Sequence, residues 1–132
     1  MNISFKTAAL FSSVLCALLF CTWMFAPSTL LQLWGVAYSD ATGLVARRNA
    51  ALFAGLGLMF FQVRDIPAGT ARAGICAGFA LASLLLAVLG MSEYAGGRAG
   101  AGIASAFITE LAVTAIFATI WRADRRATGA RA

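Results

Sequence analysis

The chain has no histidine among its 132 residues. That removes the commonest metal ligand, the usual haem ligand and the usual general base at neutral pH. Its three cysteines, Cys16, Cys21 and Cys76, form no Cys-x-x-Cys pair, and Cys16 and Cys21, five apart, point about 140° away from each other on a helix. They read as small apolar residues. Walker, dinucleotide and EF-hand motifs are all absent. The expectation is therefore a chain without a metal site and without a cofactor. Charge is scarce as well: 11% of residues are charged, where a soluble domain carries about a quarter.

What the chain has in quantity is apolar surface. It is 61% hydrophobic, with a mean hydropathy of +0.87. A single domain of this length has too little interior to hide that surface from water, so the surplus is expected to face lipid. The formal charge of +5 comes from nine Arg and one Lys against three Asp and two Glu. The basic residues stand at the ends of apolar runs, where lipid headgroups lie. Arg122, Arg125, Arg126 and Arg131 are the one dense cluster, without the interleaved aromatics of a nucleic-acid surface. Nucleic acid is not an expected partner; the bilayer is.

Four transmembrane helices follow from the pattern, over about residues 5–26, 41–63, 71–91 and 101–121, with a basic tail at 122–132. The first run, Thr7 to Ala26, is long enough to cross the hydrocarbon core. It is too long, with too little basic charge before it and no good small-x-small site after it, for a cleaved signal peptide. Pro27 breaks it, and Trp34 and Tyr38 bracket a short stretch suited to the membrane interface. Ser39 and Asp40 are N-cap candidates for the second helix. Its purely apolar part, Ala50 to Phe61, is too short to span alone, so the helix must begin near Ala41, which places Arg47 and Arg48 inside it. Ile66-Pro67-Ala68-Gly69 is a tight turn. The fold expected is an all-α four-helix membrane bundle in one domain.

Lys6, Arg64, Arg72 and the four tail arginines fall on one side, against Arg47, Arg48 and Arg98 on the other. The positive-inside rule then puts both termini in the cytoplasm. Lipid is as apolar as leucine, so such helices associate through small residues and a few polar contacts. Gly74, Gly78 and Ala82 form one stripe at spacing four, and Ala51 with Gly55 forms another. These read as packing faces within the chain, or as a homodimer face.

Glu110 is the residue to single out, near the middle of the last helix. A charge there costs about 2.5–3.5 kcal/mol or more, so the carboxyl is expected to be neutral, paired or facing water. Arg47 and Arg48 are the candidate partners, Arg48 favoured to turn inward, with Asn49, Thr109 and Thr114 completing a polar intramembrane pocket. Such a pocket would take a small anion, a lipid headgroup or a proton. The plainer reading is a buried Glu–Arg pair fixing helix register, or a protonated Glu110 bonded to Thr114. Asp40, Glu93 and Arg98 are expected near the mouth.

The proline after the first helix, Leu33-Trp34-Gly35-Val36, the run Ala46-Arg47-Arg48-Asn49-Ala50-Ala51-Leu52, Gly55-Leu56-Gly57 and Glu110-Leu111 together resemble the DoxX-like group of small four-helix bacterial membrane proteins. The resemblance implies a bundle with an inward Arg and Glu, and no established reaction. The preference for Ala, Gly and Arg over Lys also suits a bacterium with GC-rich DNA, and hence a multi-pass protein of its cytoplasmic membrane. Three functions fit. An accessory or scaffold subunit of a membrane assembly ranks first, and a carrier or binder of a small solute, proton or lipid through the Glu/Arg pocket second. A lipid-modifying enzyme ranks last, because without histidine or metal its groups reduce to Glu110, Asp40, Glu93 and the tyrosines.

Overall fold

The computed structural model describes residues 3–129, with no strand among them. Arg131 of the basic cluster lies outside that range. The elements are α1 (Phe5–Phe25), α2 (Pro27–Leu33), α3 (Asp40–Val63), α4 (Thr70–Ala95), a 3-10 turn (Ala101–Ile103) and α5 (Ala104–Gly129). Among the described residues, four helices are long and apolar enough to cross a membrane. The 21 residues of α1 extend about 31 Å at helical rise, matching a hydrocarbon core of about 30 Å.

The helix ends follow local chemistry. Ser4 caps α1 by accepting from the Thr7 N–H. Ser39 and Thr42 form a capping box that starts α3 at Asp40, which satisfies two otherwise orphaned backbone donors. Pro27 does more than break α1. It occupies the first position of α2, where a missing N–H costs nothing and its fixed φ suits a helix. Gly35, at φ +69°, then turns the chain back. The basic tail also departs from expectation, since α5 runs on to Gly129. Asp124 explains the extension: it is buried and accepts from Arg72 Nε at 2.8 Å.

The bundle consists of two helical pairs, α1 with α3 and α4 with α5. Small residues set both seams. On α3, Ala46, Ala50 and Gly57 are buried on the side toward α1, while Gly43 is covered by Tyr38, and Ser13 Oγ donates to the Gly57 carbonyl at 2.9 Å. On α4 the seam toward α5 is Cys76, Ala80, Ser83, Ala87 and Gly90, facing buried Ile103, Val113, Phe117 and Ile120. The stripes read from the sequence are different. Gly74, Gly78 and Ala82 are exposed, as are Ala51 and Gly55. No neighbouring atom lies within 4 Å of where a Cβ would stand at Gly55, Gly74 or Gly78.

The two pairs meet most firmly near the termini. Phe60, Phe79 and Phe117 form a triangle with centroid separations of 4.6, 5.0 and 5.4 Å, joining α3, α4 and α5. Each such edge contributes about 0.5–1.5 kcal/mol beyond area burial. Lys6–Asp65 at 2.8 Å and Arg72–Asp124 close this end, and the Arg72 guanidinium lies over the Phe5 ring at 5.2 Å. At the other end the Gly100 N–H donates to the Trp34 carbonyl at 2.6 Å. Gly102 is packed so closely on the Leu33 carbonyl that a Cβ would overlap it. Between these junctions the pairs diverge.

Candidate intramembrane binding cavity

The divergence leaves a half-open cavity of about 590 Å³. Leu15, Leu19 and Trp23 of α1 form one wall, and Phe53, Leu56 and Met59 of α3 another. Opposite them stand α4 and α5, while Leu30 of α2 and Trp34 close one end. The size falls within the range of about 300–1,000 Å³ typical of small-molecule sites, and the mainly apolar wall is also typical.

The stripe Gly74, Gly78 and Ala82 is part of this lining. It was expected to hold a helix close; in the structure its lack of side chains makes the room. Fitting seam residues at 76, 80, 83, 87 and 90 against α5 rotates the stripe toward α1 and α3. Those helices stand too far away to touch it.

Glu110 reaches the same space from α5, seven residues or about 10 Å along the helix from Phe117. Its Oε2 atom is buried without a hydrogen-bond partner. Thr109 also lines the cavity, with its hydroxyl donating to the Ser105 carbonyl at 2.8 Å. Ser105 does likewise toward the Gly102 carbonyl at 2.8 Å. Trp34 and Trp23 meet edge to face at 5.3 Å, and the Trp34 Nε1 is a second buried atom without a partner.

The rest of the expected pocket is dispersed. Arg47, Arg48 and Asn49 are exposed and do not line the cavity. Ala46 and Ala50 of the same helix turn are buried against α1, which rotates the three polar positions outward. No ion pair joins Glu110 to either arginine among the described residues. The expected inward turn of Arg48 fails because it stands about 200° around the helix from Ala46. Thr114 also leaves the site. Its hydroxyl donates to the Glu110 backbone carbonyl at 2.8 Å, not to the carboxyl, and it faces a shallow hollow beside Ala77 and Trp121. Glu93 is held by Arg98 at 2.6 and 3.0 Å, and Asp40 opens α3; neither lines the cavity.

Three features escaped sequence reading. The Arg72–Asp124 pair was legible as opposite charges at matching ends of antiparallel helices. The helix α2 was signalled by Pro27 at its first position. The cavity itself had no local signal, since it depends on how far apart the helix pairs stand.

The fold defines an all-helical protein with four helices of membrane-spanning length. Comparison with family models, curated proteins and solved structures returned no match. The DoxX-like resemblance therefore stands on its short sequence motifs alone.

Proposed function

We propose that this protein binds, and by extension carries, a small lipophilic molecule within the membrane, holding it in the cavity between its two helical pairs. The carrying observation is Glu110: its side chain lines about 590 Å³ of largely apolar space, and one of its carboxyl oxygens, Oε2, is buried without a partner. A polar atom kept in that state is a cost to folding of about 1–3 kcal/mol, and a ligand that meets the Glu110 side chain gives the carboxyl a purpose. The glycine stripe fits the same reading, because Gly74 and Gly78 line the cavity and leave room in it. The orientation that goes with the proposal is both termini in the cytoplasm of a bacterial inner membrane, from the distribution of Lys and Arg.

The test is saturable binding of a lipophilic fluorescent amine, N-phenyl-naphthylamine, to protein in nanodiscs of zwitterionic lipid. Binding is expected in the wild type. It should be lost in Gly78→Leu, which fills the cavity at a position with no neighbour to displace. Equal signal in both proteins would overturn the proposal.

A further inference from the structure

The cavity has an unbalanced charge inventory, beside one buried and unpartnered donor, the Trp34 Nε1–H. Among the described residues, Glu110 is the one charged side chain in its lining, and neither Arg nor Lys reaches it. The hydroxyl protons of Ser105 and Thr109 are committed to the backbone carbonyls of Gly102 and Ser105. Their oxygens keep acceptor capacity, as does the Glu110 carboxyl. One edge of α5 therefore offers acceptors from successive positions 105, 109 and 110. Around it stand Trp23, Trp34, Phe53 and Phe79, whose ring faces attract cations.

From this we infer that the occupant is a lipophilic amine, bound as its ammonium, with its apolar body between the helical pairs. The inference rests on the cavity being a binding site and adds the charge class of the ligand. A primary ammonium has three donors and no acceptor, the complement of this edge. A neutral amine reaching a protonated Glu110 gives the same product, with the proton moving from the carboxyl oxygen to the nitrogen. The ammonium–carboxylate pair carries no net charge into the hydrocarbon. An anion finds no countercharge in the lining and meets the carboxyl instead. The anion-binding reading of the sequence needed Arg47 or Arg48 in the pocket, and both are outside it.

The experiment titrates octylamine, octanol and octanoate against protein in zwitterionic nanodiscs at neutral pH, reading the fluorescence of its three tryptophans, of which Trp23 and Trp34 line the cavity. Octylamine is expected to give a saturable change at least tenfold tighter than octanol, and octanoate none. In Glu110→Gln the octylamine affinity should fall to that of octanol, while octanol is unchanged. Circular dichroism and gel filtration check that each variant is folded, and if Glu110→Gln is not, the wild-type ratio decides. Octanol or octanoate binding as tightly as octylamine, with Gly78→Leu blocking both, would overturn the charge assignment and leave the cavity as a site. If no probe saturates, or if Gly78→Leu changes nothing, the binding reading falls with it.

Discussion

Replacing Glu110 by leucine should make the protein more stable while abolishing the proposed binding. Oε2 of the carboxyl is buried and unpartnered, and Arg47 and Arg48, the cations expected beside it, are exposed and do not line the cavity. An unsatisfied buried polar atom costs about 1–3 kcal/mol, and a carboxylate at the bilayer centre about 2.5–3.5 kcal/mol. Glu110 is only partly buried, which moderates both figures. Leucine is close in size and introduces no polar atom. The net effect should be a gain of about 1–2 kcal/mol, read as a higher midpoint when protein in mixed micelles is unfolded by increasing SDS and followed by circular dichroism. Such opposition of stability and function is common at functional sites. A Glu110→Leu protein less stable than wild type by about 1 kcal/mol or more would refute the reasoning, because it would mean the carboxyl makes contacts that hold the helices together.

Other positions give independent checks. Asp124→Ala leaves the Arg72 guanidinium beside Phe5 without its carboxylate and should cost about 3 kcal/mol in the same SDS titration, the low end for a broken buried pair because Arg72 retains 19% exposure. Ser12, with its hydroxyl buried and unbonded, should tolerate Ser12→Ala with no loss and up to about 1 kcal/mol of gain. Gly102→Ala should loosen the junction with Leu33, seen as faster hydrogen exchange at the Gly100 amide. The Lys6 ammonium holds the Asp65 carboxyl below the ordinary carboxylate range. A depressed carboxylate contributes stability above its unfolded pKa and loses it as pH falls through the folded one, so the contact should persist through pH 5 and fail only below about pH 4. Being exposed, it should also weaken in 1 M salt, which Lys6→Ala should make irrelevant.

Much of the frame was written in local pattern. The span limits followed from apolar run length, and the start of α3 from Ser39 with Asp40 behind it. The choice of helix face was not legible in the same way. Glycines at 74 and 78 and small residues at 76, 80 and 83 both make plausible stripes on α4, and only the fit of Phe107, Val113 and Phe117 decides which one packs. Gly90 shows the fit, with its Cβ position 3.4 Å from the Phe107 Cβ. Arg47 and Arg48 illustrate the same limit: an inward arginine was inferred from Glu110 needing a partner, whereas the seam at Ala46 and Ala50 rotates both outward. Glu110 itself was legible because an acidic residue in an apolar helix stands out by cost alone. Its surroundings were not, since they come from five separate elements.

The most direct measurement of the central claim is native mass spectrometry of the protein gently extracted from its own host, wild type beside Glu110→Gln and Gly78→Leu. The account predicts a small nitrogen-containing molecule retained by the wild type and missing from both variants. The same small-molecule occupancy in all three proteins, or none in any with a second polypeptide retained throughout, would contradict it and return the chain to a scaffold role.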